Sequence, residues 1–196
     1  MRVLTGALKG REIRFKPMPG VRPTADKVRK SMVDTLVASL PGAEVLDLFA
    51  GSGAIGFEAL SNGALRVDLV EADRDRARCV QDNAERLGVA KSCQVSREDA
   101  FEAVRRLHGD GRVYDLVFAD PPYRSGDAAR ILEHLKRYPL LRSGGIAVIE
   151  CADDERIESQ AQGGGLTLLR SRSYGGSKVV YFRASPDPAP GTGTPN

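Results

Sequence analysis

The sequence predicts an α/β fold: a seven-stranded, mostly parallel sheet with helices on both faces and a small N-terminal hairpin-and-helix extension. Three observations carry this expectation. Short apolar runs alternate with stretches of helical period, the pattern of a parallel sheet covered on both sides. The first run, Val45 to Leu48, is broken only by Asp47 and suits a strand buried on both faces. It passes directly into Gly51, Gly53 and Gly56, with an alanine-rich helical pattern beginning at Ala54. Glycines there allow a sharp turn and a close approach of a ligand to the main chain.

In chain order, Val3 to Gly6 and Arg11 to Phe15 flank a Leu8-Lys9-Gly10 turn and read as a small hairpin. Residues 16–22 hold Pro17, Pro19 and Gly20 and read as a loop. Thr24 can cap a helix whose face carries Val28, Met32, Leu36 and Leu40, ended by Pro41-Gly42. This unit reads as an attachment to the body rather than a separate fold. After the glycine loop, Arg66 to Val70 forms the second strand, ending at Glu71. Asp73 caps a helix striped by Ala77, Val80, Ala84 and Leu87, stopped by Gly88. Ser92 to Val95 is the third strand, and Asp99 can cap a short helix carrying Phe101, Val104 and Leu107. Val113 to Ala119 is a fourth strand running into Asp120-Pro121-Pro122-Tyr123. A helix with Ala128, Ile131, Leu132 and Leu135 leads to a fifth strand, Ile146 to Glu150. Leu166 to Arg172 and Lys178 to Arg183 close the sheet around Tyr174-Gly175-Gly176. Residues 185–196, rich in Pro, Gly, Thr and Asp, read as a disordered tail.

The 196 residues fit one domain with a proper core. No apolar run approaches membrane-spanning length and no signal peptide opens the chain, so the expected location is cytoplasmic. The three scattered cysteines read as reduced thiols. His108 and His134 read as solvated helix residues, and no metal cluster is expected. Net charge is +3, yet residues 1–30 hold nine Lys or Arg against Glu12 and Asp26. A basic front end on a mildly acidic body reads as a polyanion contact or as a solvated terminus.

The spacing Gly51-x-Gly53-x-x-Gly56 fits a site for a nucleoside-type cofactor at a helix N-terminus, whose first N–H groups lack internal partners. Asp47 selects among such cofactors. A pyrophosphate on the helix N-terminus would be repelled by a carboxylate just ahead of the loop, whereas S-adenosylmethionine carries an ammonium and a sulfonium. Phe49-Ala50 in place of a further glycine points the same way. The alternative is an Asp47 that only caps the turn. Glu71, twenty positions beyond Gly51, can accept from both hydroxyls of a ribose. Asp99, beside Ala100, can accept from an adenine amino group or simply cap its helix.

Asp120-Pro121-Pro122-Tyr123 is the most informative tetrapeptide. Ligands of open α/β sheets sit beyond the carboxyl ends of strands where strand order reverses; first and fourth strands side by side would place it there. The prolines stiffen the backbone and remove two donors, leaving the Asp120 carboxylate and the Pro121 carbonyl as acceptors. Such a cup suits an exocyclic amino group, and Tyr123 offers a flat face to a base.

Together these motifs resemble the class I S-adenosylmethionine-dependent methyltransferases that modify amino nitrogens, a Rossmann-like fold. The closer likeness is to the RsmD family, which methylates N2 of a guanine in bacterial 16S ribosomal RNA. Its most specific part is Gly6-Ala7-Leu8-Lys9-Gly10-Arg11 and Arg22-Pro23-Thr24-Ala25-Asp26-Lys27-Val28-Arg29, followed by Asp47-Leu48-Phe49-Ala50-Gly51-Ser52-Gly53. The resemblance implies that Asp47 and the loop from Phe49 to Gly53 bind the methionine part. It implies further that Glu71 binds the ribose, Asp99 with Ala100 the adenine, and Asp120 to Tyr123 the target guanine. Arg22 and Thr24, with Lys9 and Arg11, would contact substrate. Residues 1–41 become a basic extension for RNA and 42–184 the methyltransferase domain, acting on 16S rRNA in the small subunit or an assembly intermediate. The competing readings are a DNA adenine-N6 or cytosine-N4 methyltransferase, an NAD-dependent oxidoreductase and a non-enzymatic RNA-binding module.

Overall fold

The structure is a computed structural model describing residues 1–15, 26–161 and 164–185. One sheet runs through it, built from β1 (Glu44–Leu48), β2 (Arg66–Val70), β3 (Cys93–Ser96), β4 (Tyr114–Ala119), β5 (Leu141–Ala152), β6 (Leu166–Ser173) and β7 (Ser177–Ala184). Their order across the sheet is β3-β2-β1-β4-β5-β7-β6. The first five are parallel; β7 inserts antiparallel between β5 and β6. Strand order therefore reverses between β1 and β4, whose pairing aligns Asp47 with Phe118 and Leu48 with Ala119. This is the parallel sheet with helices on both faces that the alternating pattern predicts, and it has the Rossmann-like strand order that the resemblance implies.

Among the described residues, five α-helices cover the faces: α1 (Asp26–Leu36), α2 (Ala54–Ser61), α3 (Arg74–Leu87), α4 (Ala100–Gly109) and α5 (Asp127–Arg137). One core layer packs α4 and α5 on Leu46, Leu48, Val117 and Ile149. The other packs α1, α2 and α3 on Val45, Val67, Leu69 and Leu116. Alternation along β1 thus sends Val45 and Asp47 to the α2 side and Leu46 and Leu48 to the α4 side. Helix starts follow the chemistry read from the sequence. Asp73 accepts from Asp75 and Arg76 N–H at 3.1 and 2.9 Å, and Gly88 closes α3 in the left-handed region. No helix among the described residues is long and apolar enough to cross a membrane.

Several expectations need correction. The N-terminal hairpin forms but is short: it holds one antiparallel bridge, Arg2 with Glu12, flanked by the Val3–Arg11 and Met1–Ile13 backbone bonds, and does not extend past Val3. The reason is that α2 takes the chain that would pair: Glu58 accepts from Leu4 N–H at 2.7 Å and Thr5 N–H at 3.2 Å, and Ala7 N–H donates to the Ser61 carbonyl at 2.7 Å. Leu40 is buried but lies beyond α1, after a 3-10 turn from Val37 to Ser39. β5 begins five residues earlier than expected, because Leu141 joins Tyr114 across a register shift between Leu141 and Ile146 that hides the strand pattern. His134 is not a freely solvated residue; its ring packs edge-on against Phe101 with centroids 4.9 Å apart. The Thr24 cap and the tail beyond Ser185 lie outside the described residues.

The N-terminal segment is tied in by a buried ion pair that the sequence pattern does not reveal. Arg29 and Glu58 have fully buried side chains with Nε 3.4 Å from Oε1. Arg29 also donates to the Arg2 carbonyl at 2.7 Å and to Asp26 at 3.0 Å. Removing one member of such a pair leaves a buried charge and costs about 3–5 kcal/mol. Val3 and Ile13 share the α1–α3 core layer, so this extension packs as part of the body.

Gly6 has φ +73°, and a Cβ there would lie 1.9 Å from the Ser61 carbonyl oxygen. Gly10 has φ +83° with nothing within 4 Å of its added Cβ. Gly6→Ala should therefore destabilise by ~2 kcal/mol or more and Gly10→Ala by only ~1 kcal/mol. Thermal melts of the two variants check this ordering; equal losses contradict it.

Candidate active site

Beyond the carboxyl ends of β1, β2 and β4 lies a cleft of about 400 Å³. Its walls bring together the glycine loop, Glu71, Asp99, Ala100 and the whole of Asp120 to Tyr123. These come from four separate stretches of sequence. The β1–β4 pairing is what puts the tetrapeptide beside the loop.

Two carboxylates shape the loop from below. Asp47 is 2% exposed and its Oδ2 accepts the Gly56 N–H at 3.1 Å. A side chain from β1 thereby caps α2, whose N-cap position is Gly53 in the left-handed region with no side-chain cap of its own. Glu71, also buried, accepts from Gly51 N–H and Asp73 N–H, each at 2.9 Å, and pairs with Arg76 at 3.0 Å. Gly53 N–H donates to the Ala50 carbonyl at 2.7 Å. Of the first N–H groups of α2, expected to face a ligand, that of Gly56 is taken by Asp47, and the Gly51 and Gly53 donors ahead of the helix are bonded as well. A loop with these donors facing two acids and a carbonyl is a poorer cradle for a pyrophosphate. It suits a ligand carrying positive charge, so the residues present fit a cationic nucleoside and disfavour a dinucleotide.

Gly56 is required for another reason. A Cβ there would meet Leu69 Cδ2 at 2.6 Å and Val67 Cγ1 at 2.9 Å, so the helix can approach the sheet only without one. Phe49 holds φ +62°, a conformation that costs a non-glycine residue about 1–2 kcal/mol. Its ring stands edge-on to Phe101 with centroids 6.2 Å apart, forming an apolar wall next to Ala100. Asp99 does cap α4, accepting from Phe101 N–H at 2.9 Å and Glu102 N–H at 3.2 Å, while also lining the cleft.

At the opposite wall, Pro121 is buried and Tyr123 is 46% exposed. Tyr123 Oη donates to Glu150 Oε1 at 2.5 Å. Glu150 is 1% exposed, and its Oε2 has no hydrogen-bond partner. Burial pushes the Glu150 carboxyl above its ordinary value, and burial of its hydroxyl end, then Glu150 itself, pushes the Tyr123 phenol up. Sequence reasoning places Glu150 only as a strand end. A charged residue closing an apolar strand was the available signal. Asn83 was missed altogether: fully buried, its amide bonds both the Arg14 backbone and the Ser52 carbonyl, tying the N-terminal segment to the loop.

The proposed substrate contacts are less gathered. Arg11 donates to the Leu87 and Arg86 carbonyls at 2.9 and 3.0 Å, capping the C-terminus of α3. Lys9 is exposed on its turn. Arg22 and Thr24 lie outside the described residues. Arg29, not singled out from the sequence, reaches the cleft from α1.

Comparison with known proteins adds to this geometry. A family model described as Conserved hypothetical protein 95 matches residues 1–183. YlbH of Bacillus subtilis is 33% identical over 183 residues, covering 93% of this chain and 98% of that protein. Ribosomal RNA small subunit methyltransferase D of Haemophilus influenzae is 27% identical over 184 residues, covering 93% and 92%. Among solved structures, yhhF of Escherichia coli superposes with a TM-score of 0.79 at 27% identity, covering 95% of this chain and 99% of that one.

Asp47 has a pH signature. Burial, partly offset by the Gly56 hydrogen bond, lifts its carboxyl from 3.8 to about 7. The folded chain therefore binds this proton more tightly than the unfolded chain. Its contribution to stability is full below pH 3.8 and is lost as pH rises through about 7. Asp47→Asn keeps an oxygen for Gly56 and should flatten this decline in the ligand-free protein. Thermal melts across that range check it, and an unchanged slope contradicts it.

Proposed function

Because the chain belongs to the RsmD family, whose model is described as Conserved hypothetical protein 95, we propose that it methylates the exocyclic N2 of a guanine in 16S ribosomal RNA. The cofactor is S-adenosylmethionine. The observation that carries the reading is one cleft joining the acid-backed glycine loop to Asp120-Pro121-Pro122-Tyr123. The relatives named as ribosomal RNA small subunit methyltransferase D support rRNA as the substrate class. The guanine and its N2 rest on the acceptor chemistry of the tetrapeptide.

When bound, S-adenosylmethionine supplies a methyl group on a cationic sulfur. Asp47 and the loop from Phe49 to Gly53 would hold the charged amino-acid end, Glu71 the ribose hydroxyls, and Asp99 with Ala100 the adenine. Glu71 Oε2 accepts only the Gly51 N–H and keeps a lone pair for a hydroxyl, while Oε1 already meets Asp73 N–H and the Arg76 guanidinium. Tyr123 would stack on the target base, its ring steadied through Oη by Glu150. Asp120 and the Pro121 carbonyl would accept from the two amino hydrogens. That draws the nitrogen lone pair out of the ring system and stabilises the positive charge that develops there. Asp120 need not be a strong base, because the proton becomes acidic once the new N–C bond has formed, and it can then leave to Asp120 and water. The target guanine must be unstacked, at a cost of a few kcal/mol, which favours a loop or a subunit surface as substrate.

Asp120→Ala should lower methyl transfer to rRNA by roughly 10²–10³ while calorimetry finds cofactor binding near wild type. Turnover near wild type would remove Asp120 from this role.

A further inference from the structure

The far edge of the sheet carries a second feature, outside the cleft. A groove of about 450 Å³ runs between α1 and β6, lined by Lys27, Lys30, Arg170 and Arg172 with Ser31 and Asp34 among the polar residues between them. All four cations are exposed. Asp34 is taken by Lys30 at 2.6 Å, and no ion pair links Lys27, Arg170 or Arg172 to a carboxylate among the described residues.

A bulge builds this groove. Leu168 pairs with Phe182, and Arg170 with Tyr181, the next residue along β7, so Leu169 is an extra residue in β6. In an unbroken strand, Arg170 and Arg172 would share a face with Leu166 and Leu168. The bulge turns them over, onto the face of Tyr181 and Val179, which packs with α1. The two arginines then stand opposite Lys27 and Lys30. Bringing four cations together around a single acid, Asp34, costs self-repulsion, and beyond the contacts of Arg172 with Ser31 and the Tyr174 ring there is little packing gain, since β6 is exposed along nearly its whole length. A polyanion removes that cost.

β6 antiparallel to β7, and β7 to β5, bring Arg172 toward the same end of the sheet as the cleft. α1 joins the two sites: Arg29 reaches the cleft, and Lys27 and Lys30 face the groove. At the groove's end, Tyr174 Oη bonds Ser31 Oγ at 2.5 Å, fixing α1 to the β6–β7 turn. We propose that the α1–β6 groove is a phosphate-backbone clamp for the RNA that flanks the target nucleotide. It rests on the rRNA reading above and adds to it a contact that positions the strand without reading bases.

The test compares wild type with Lys27→Gln/Lys30→Gln/Arg170→Gln/Arg172→Gln and with Arg170→Lys/Arg172→Lys, on naked 16S rRNA and on small subunits, across salt. These positions are exposed, so the variants should melt near wild type. The glutamine variant should bind naked rRNA about tenfold more weakly near physiological salt. Its salt slope should be flatter by about 0.7 for each phosphate released. KM for rRNA should rise while kcat at saturation holds, and the lysine variant should stay within about threefold of wild type, because the clamp reads charge. Unchanged affinity and slope in the glutamine variant would overturn the clamp. So would loss of small-subunit binding alone, which would assign the groove to a ribosomal protein. If wild type binds rRNA through these residues but methylates no rRNA, the clamp stands and the proposed reaction falls.

Discussion

The hydrogen bond from Gly56 N–H to a carboxylate buried at the end of the first strand is the constraint on which the site depends. It joins β1 to α2 through a helix position that has no room for a Cβ, and it needs an acid where packing alone would place an apolar residue. The chain tolerates that acid at the cost of a carboxyl lifted to about 7. Glu71 repeats the device one strand away, holding Gly51 and the start of α3 at once. Both acids sit beneath a loop that must turn sharply, and both face the cleft. In the ligand-free chain burial first, and the nearby Glu71 charge after it, disfavour the Asp47 charge. A cationic ligand relieves that repulsion, so the same electrostatic stress that weakens the empty fold becomes binding selectivity.

The N-terminal segment is held by a different balance. Arg29 and Glu58 are wholly buried, and Glu58 also receives two backbone N–H groups and the Thr5 hydroxyl. Burying such a pair gives little net stability but makes alternative arrangements costly. Here it fixes where residues 1–8 run relative to α1 and α2, and thereby one wall of the cleft, where Met1 and Arg29 lie. What reads as an attachment in the sequence is a packed part of the body.

The fold was legible because it rests on periodicities that strands and helices impose locally. Arg66–Val70 and the caps at Asp73 and Asp99 follow directly from apolar runs ending at residues that bond their own backbone. The lining of the cleft was legible where a motif sits near a strand end, as with Asp47, Glu71 and Asp120. What was hidden depends on partners far along the chain. Nothing near Glu58 indicates that it will take the N–H groups of Leu4 and Thr5, and nothing near Leu169 indicates the bulge that turns two arginines over. Arg11 shows the converse: its charge suggested a substrate contact, and its guanidinium caps a helix.

The account stands most directly on where the methyl group goes. Labelled S-adenosylmethionine supplied with small subunits, stripped 16S rRNA and duplex DNA, followed by mapping of the modified nucleotide, decides it. Label on the N2 of one guanine in 16S rRNA is the predicted result. Label on DNA, on a ring nitrogen of rRNA, or on no nucleic acid would contradict it.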